Sequence, residues 1–509
     1  LVLILALVGQ AASAQTVGQW GRHVITRSNP TYSGNPFELE IDATFTHAPS
    51  GTTLTIPGYY AGNNQWKVAF MPTLIGAWNY TTFSSDPDLD GVTGSVNVTP
   101  SSHPGFFGAD PQNPRKWKLS NAGYVIPMAL RMEFFFNNGS ASDWQQAVEF
   151  LADDVDGLMY DTRLQDESTS QMLVFDGNWQ NHEFDLSIWD RMEERMNVLS
   201  SFGRGAYIMF YADDTGTPKW GGRSATEALL IRYAIARLGS YPIVMWDVGI
   251  DIDEYRNNND IDWFGDQLAA LDAYDHPRSS RRGGGSGSIV MDAQNYEARG
   301  DRTAIIGDMI DYFESANLPT VMNDSWGENR PSHPSKNFSP ADLRRAFWKT
   351  MVAGGLGGFI RGSNGAFQFN TVQSDLESED WLRLVNLFLR DKLGPVFGDM
   401  VPDSSLVVNG YALADPARAR IVYFLMGDDD RYDNGNGGDI TARLDAVSGN
   451  FTASWFDTRT GQETSAGTLA GGSNHVLTPP SSDDWVLLLV GDGAADITPP
   501  AAPTNVTVQ

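Results

Sequence analysis

Two runs of this chain pass from apolar to acidic within a few residues. In "PIVMWDVGIDIDEY" (242–255) the apolar stretch Ile243–Trp246 gives way to Asp247, Asp251, Asp253 and Glu254. In "PTVMNDSWGENR" (319–330) a shorter apolar stretch ends in Asp324 and Glu328. Two carboxyl groups facing each other across a gap can cleave a glycosidic bond. One protonates the leaving oxygen; the other attacks the anomeric carbon or activates water. In an extended strand Asp247, Gly249, Asp251 and Asp253 share one face, and Trp246, Val248, Ile250 and Ile252 share the other. The acidic face is expected at an open mouth and the apolar face against helices. In the second run Thr320, Met322 and Asp324 share a face, with Trp326 continuing it. Asp is also an ordinary turn and cap residue, so one such residue alone argues for structure; the pair argues for chemistry.

Elements that alternate between helix and strand surround both runs. "SATEALLIRYAIARLG" opens with Ser224 and Glu227 at capping-box spacing and closes at Gly239. "SPADLRRAFWKTMVAGG" has Ser339 as N-cap and Pro340 at the first helical position. The strands between such helices are apolar without alternation, which implies a parallel sheet covered on both faces. Residues 105–395 are therefore expected to form a central (β/α)8 TIM barrel, with a doubly wound open sheet as the alternative. No Gly-rich phosphate loop follows any strand. Barrel function gathers at the C-terminal strand ends, and counting units places the two acidic runs on the fourth and seventh strands.

Other strand ends supply candidates for the lining of such a mouth. Tyr211 and Asp213 end the third strand, Arg131 and Glu133 lie on the first, Tyr296 on the sixth, Arg361 and Asn364 on the eighth. The expected substrate-binding set is Asp247, Tyr211, Asp213, His276, Arg278, Tyr296, Trp326 and Arg361, beside Asp251, Asp324 and Glu328 as catalytic candidates. Trp326, Tyr255, Tyr296 and Trp263 offer rings on which sugars stack. Arg278, with Arg281 and Arg282, could bind a sulfate or uronate bidentately, or pair with nearby Asp. His276 and His333 read as structural or subsite residues.

The flanks have a β rhythm. Phe37, Leu39, Ile41, Ala43 and Phe45 alternate with polar residues, and residues 15–100 read as an immunoglobulin-like sandwich. "ARIVYFLMG" and "DWVLLLV" place a second sandwich at 400–493. Residues 1–14 resemble the remnant of a secretory signal, pointing to a secreted, periplasmic or cell-surface protein. Residues 494–509 read as a linker running into a further module. A net charge of −28 argues against nucleic acid and anionic membranes as partners. With no cysteine, disulfides and thiolate chemistry are excluded. The seven His show no His-x-x-x-His spacing, so no metal and no cofactor is expected. "DDDRYDNGNGGDI" (428–440) has calcium-type oxygen ligands, although a solvated hairpin loop is the simpler reading. A monomer acting on a polysaccharide or oligosaccharide is expected.

"IVMWDVGID" resembles the fourth-strand segment of apiosidase-like glycoside hydrolases: an apolar run, Trp, two residues, Gly-Gly-Asp. Asp251 matches that Asp, and Ile250 replaces the second Gly. "LPTVMNDSWGEN" resembles the family's seventh strand, where Pro is followed five residues later by a catalytic Glu and then by another Glu. Asp324 takes the first of these positions and Glu328 the second. "DHPRSS" (275–280) resembles the His-Pro segment of the fifth strand. "NPFELEIDATF" and "QWKVAFMPTLIGAWNY" are similar to the sandwich preceding such barrels, and "SWFDTRTGQETSAGTL" to the collagen-binding-type sandwich that follows them.

The resemblance implies Asp251 as acid/base. Asp at 324 is one methylene shorter than the family's Glu. Retaining enzymes hold their carboxyl groups about 5–5.5 Å apart and inverting ones about 6.5–9.5 Å, so two Asp could favour inversion, or Glu328 could have taken over. The expectation is a secreted hydrolase of a plant or algal polysaccharide. The alternative is a non-catalytic carbohydrate- or matrix-binding surface protein on a degenerate barrel.

Overall fold

The computed structural model describes residues 15–132, 135, 139–166, 171–212, 222–250, 252, 255–280, 292–296, 305–328, 337–361, 376–427, 430, 433, 435, 437–494 and 497, with backbone alone at 294–296 and 323–325. The chain is multidomain: a parallel sheet with helices lies between two β modules.

In the N-terminal module, strand Thr53–Tyr60 turns a corner. Residues 53–57 pair with strand Ile41–His47, and 58–60 pair with strand Gln65–Phe70. The two halves enclose Ile41, Ala43, Phe45, Trp66, Val68, Phe70 and Trp78. The expected alternation holds from Ile41 onward. Phe37 lies before the strand and packs edge-on against Phe184 and Tyr233 instead.

The central sheet has eight main parallel strands: β1 (Met128–Arg131), β2 (Met159–Arg163), β3 (Gly205–Tyr211), β4 (Val244–Gly249), β5 (Arg278–Ser279), β6 (Gln294–Tyr296), β7 (Thr320–Glu328) and β8 (Gly357–Arg361). Their order is β5-β4-β3-β2-β1-β8-β7-β6, and a short strand, Asn337–Phe338, adds to the end of β7. The Arg278 carbonyl in β5 accepts from Asp292 N (3.0 Å) and Ala293 N (3.2 Å), the two residues that lead into β6. The two edges of the sheet are thus bridged.

The described helices are α1 (Ala141–Glu149), α2 (Leu186–Ser201), α3 (Ala225–Leu238), α4 (Asn258–Leu271), α5 (Ile306–Ser315), α6 (Pro340–Val352) and α7 (Glu379–Phe388). Local chemistry sets their starts. Ser339 and Asp342 form a reciprocal capping box, with Pro340 at the first position of α6. The Ser224–Glu227 box is only half made. Ser224 accepts from Glu227 N, but the Glu227 side chain is taken by Arg223 N, Tyr211 and Arg256.

Side chains alternate along the strands. Ala129, Met159, Tyr207, Met209, Met245, Val321 and Phe359 form one apolar cluster. Met128, Leu130, Tyr160, Ile208, Phe210, Val244, Trp246, Val248, Met322 and Ile360 belong to a larger one with the helices. Both faces are buried, which explains why the strands show no polar alternation in sequence. A small antiparallel sheet (Phe107–Ala109, Trp117–Leu119, Gly123–Tyr124) crosses the N-terminal strand ends. Trp117 Nε1 donates to the Thr320 carbonyl (3.1 Å) and Phe107 N to the Pro242 carbonyl (3.0 Å).

The C-terminal module pairs a six-stranded sheet with a three-stranded one. Ile421, Tyr423, Leu425, Trp455, Leu487 and Leu489 fill the space between them. The other face of the larger sheet, with Val422, Phe424, Phe456, Val486 and Leu488, joins the helix-side core of the central sheet.

Candidate active site

A layer of buried polar side chains lies where β1 to β5 rise toward their C-terminal ends. Arg131 Nε on β1 meets Asp161 Oδ2 on β2 at 3.2 Å, and Asp161 Oδ1 accepts from Met132 N at 2.9 Å. The Tyr207 hydroxyl on β3 donates to the Asp247 carboxylate on β4 and lies 3.2 Å from Ser279 Oγ on β5. Burial, reinforced by the negative charge of Asp247, pushes the Tyr207 hydroxyl well above the usual phenol range. Asp247 Oδ1 also accepts from Gly249 N at 2.8 Å. This side-chain turn ends β4, and a Cβ on Gly249 would stand 2.8 Å from Tyr211 Cβ. From there the chain departs from strict pleating. Ile252 packs on the helix side as expected, but Ile250 falls into the cluster of Tyr207 and Met245.

On β7 the register slips. Met322 pairs with Gly358 but Trp326 with Ile360, so Asn323, Asp324 and Ser325 oppose the single residue Phe359. This is an enlarged bulge, a device found next to active sites because it frees residues from the strand's alternation.

The structure relocates several expected mouth residues. Asp247 is fully buried and serves the β4 turn, so it does not offer itself to a ligand. Tyr211 is buried too; its hydroxyl donates to Glu227, and the Arg256 guanidinium sits 4.4 Å from its ring centre. Trp326 is 1% exposed and packs edge-on against Phe347 of α6, 5.2 Å between centroids. The face shared by Met322 and Trp326 is therefore the helix side, and the inward residue is Val321. His276 lies before β5, with Nδ1 2.8 Å from Asp272 Oδ2 and Nε2 2.8 Å from the Tyr241 carbonyl, and carries no free ring nitrogen. Burial alone would raise the Asp272 carboxyl. His276, Trp246 Nε1 and Tyr274 N outweigh it and hold the group below the usual carboxylate range. Arg278 pairs bidentately with Asp292 (2.5 and 2.9 Å) and reaches Asp275 at 3.2 Å, so its fork is filled. Of the other ring candidates, Tyr255 is tied through its hydroxyl to the Ala212 and Ile250 carbonyls.

Glu328, at the end of β7, is 1% exposed. Its Oε2 accepts from Glu377 N (2.8 Å) and Oε1 from Ser378 N (3.1 Å), at the opening of α7. Burial pushes its carboxyl above the usual range despite these donors. Arg361 ends β8, half-buried, opposite Gly327. Asp251, Asp213, Arg281 and Arg282 lie outside the described residues, as do the side chains of Asp324 and Tyr296. The polar layer itself was not anticipated beyond Arg131 and Asp247. Its sequence signal was "MYDTR" (159–163), charged residues inside a strand that is wholly buried.

Of the loop at 428–440 only residues 430, 433, 435 and 437–440 are described. Asp430 and Asp433 are buried against Lys349 of α6, whose Nζ lies 2.7 Å from Asp430 Oδ2 and 2.5 Å from Asp433 Oδ2. Among the described residues no group of three or more His, Asp and Glu is placed to hold one ion. No described helix is long and apolar enough to cross a membrane. A cavity of about 330 Å³ lies at the seam with the N-terminal module, lined by Phe37, Tyr60, Asp176, Glu183 and Phe184.

Residues 16–85 match the family described as "Domain of unknown function (DUF5060)", and residues 401–490 match "Putative collagen-binding domain of a collagenase". No curated protein sequence matches the chain. A structure described as a putative glycoside hydrolase from Bacteroides vulgatus ATCC 8482 is similar over 94% of this chain and 100% of its own, at 14% identity and a TM-score of 0.76. A glycoside hydrolase family 5 structure from the same organism is similar over 78% of this chain and 96% of its own, at 16% identity and a TM-score of 0.61. Another, described as a glycoside hydrolase, covers 77% and 98%, at 14% identity and a TM-score of 0.62. At such identities the likeness is one of fold.

Proposed function

We propose that this chain is a glycoside hydrolase in which Asp251, beyond the end of β4, is the general acid and Asp324, in the β7 bulge, is the nucleophile or general base. The observation that carries the reading is the similarity of 94% of the chain, at a TM-score of 0.76, to a structure described as a putative glycoside hydrolase. The bulge at Asn323–Ser325 supports Asp324. Glu328 is the weaker candidate, because both of its oxygens already accept backbone hydrogen bonds. The finer reading is an apiosidase-like (β/α)8 barrel at 105–395, between sandwiches at 15–100 and 400–493. It would be secreted and monomeric, and act on a plant or algal polysaccharide or oligosaccharide. The bridge between β5 and β6 supports closure of the barrel.

The second reading, a binding protein without catalysis, draws on the family description of residues 401–490. Separate D324N and E328Q variants, assayed by reducing-end release from a polysaccharide panel, decide among these. Loss of release in D324N supports the proposal. Full turnover in D324N removes Asp324 from the mechanism, and no release by the unaltered chain on any glycan favours binding.

A further inference from the structure

Two helices beside β7 begin without a capping side chain of their own. α5, which precedes β7, starts at Ile305, which cannot cap. Its first N–H, Ile306 N, donates to Asp433 Oδ2 (3.3 Å), 127 residues away in the C-terminal module. α7, which follows β8, is preceded by Ser378, whose side chain makes no cap bond to the helix. The N–H groups of Glu377 and Ser378 donate instead to Glu328, at the end of β7 itself.

The Asp433 carboxylate is not a casual surface contact. Lys349 of α6, the helix that follows β7, holds both Asp433 and Asp430, and Asp433 N donates to Asp430 Oδ1 at 3.2 Å. One turn earlier on α6, Arg345 Nε lies 2.8 Å from Asp484 Oδ1, and Arg344 pairs with the same carboxylate. Trp348 of α6, Phe388 of α7 and Phe456 of the module pack on one another, with centroids 5.0–5.7 Å apart. The module therefore grips both helices that bracket β7 in sequence, and Glu328 ties β7 to a third.

We propose that Asp433 and Glu328 are positioning residues: each supplies from elsewhere the acceptor that a helix start lacks, and together they hold the strand carrying Asp324. On this reading the 401–490 module acts on its own barrel, and the face bearing Asp430, Asp433 and Asp484 is spent inside the molecule. Only the mention of Asp324 rests on the proposed hydrolase; the mechanical claim stands or falls separately.

Hydrogen exchange followed by mass spectrometry on the full chain tests it, with no substrate needed. D433A should speed exchange in 305–315 by about tenfold, the scale of a lost cap, and leave 376–388 unchanged. E328A should do the converse, and both should speed exchange in 319–328. Strand 41–47 of the N-terminal module serves as control. Either variant leaving its own helix start at the unaltered rate would overturn the proposal, as would acceleration of all segments alike, the control included. Should D433A fail to fold, K349M, which removes the cation holding Asp433, must accelerate 305–315 selectively or the claim fails.

Discussion

The Tyr207–Asp247–Ser279 contact shows what burial does to a carboxylate. Asp247 is sealed from solvent and accepts from Gly249 N and the Tyr207 hydroxyl. Removing the hydroxyl in Y207F leaves a buried acceptor short of a donor, which costs about 1–3 kcal/mol. Chemical unfolding should show that loss, and S279A, whose oxygen is farther from Tyr207 at 3.2 Å, should show a smaller one. At this scale the sequence was readable in part. Asp247 was legible as an inward residue from its period-two spacing. Its partner was not, because a Tyr in an apolar strand reads as core, and only the fold sets its hydroxyl against β4. Trp326 was misread for a similar reason. Period two correctly grouped it with Met322, but nothing in the stretch says which side of the strand faces the helices.

Elements carried most of the legible signal. Apolar strands without alternation and capped helix starts such as Ser339-Pro340 are local patterns, and the fourth and seventh strands stand where the count of units put them. Strand contacts between distant segments were not legible. Gly205 opens β3 so close to β4's approach that an added Cβ would lie 1.7 Å from the Ile243 carbonyl oxygen. That atom belongs to the backbone and cannot swing away, so G205A should cost about 3 kcal/mol, the upper end for overpacking, and show as poor soluble expression or a lowered thermal midpoint. Gly307, with open space around its missing Cβ, is the contrasting site: G307A on α5 should be neutral or stabilising by a few tenths up to about 1 kcal/mol. The β7 bulge also lay beyond sequence reading, since three residues opposing one leaves no compositional mark.

At the scale of the whole molecule, the β modules share core and charge with the central sheet. "DWVLLLV" has no polar alternation because one face fills the module's own core and the other meets α6 and α7. A chain ending at 395 would expose Trp348 and Phe388 and remove the Asp484, Asp430 and Asp433 carboxylates that pair with Arg344, Arg345 and Lys349. Such a truncation should aggregate, whereas the intact central and C-terminal regions should melt in one transition by calorimetry. Acid should weaken the fold through histidine. Burial lowers the His103 imidazole from 6.5 to about 4 and lowers His23 as well, and His103 Nδ1 accepts from Gly105 N at 3.0 Å, which requires it unprotonated. The unfolded chain takes up these protons near 6.5 and the folded chain resists. Stability is therefore full above that pH and declines as pH falls toward 4. Thermal midpoints from pH 8 to 4 should fall along that window, and H103Q should flatten part of the slope.

The account turns on catalysis by Asp251 and Asp324. The most direct measurement is release of reducing ends from plant and algal polysaccharides, uronic and sulfated ones included, by the unaltered chain, D251N and D324N at matched folded concentration. The account predicts release by the unaltered chain on at least one glycan and a loss of about 10²- to 10⁴-fold in each variant. Undiminished release by either variant, or none from any glycan by the unaltered chain, would contradict it.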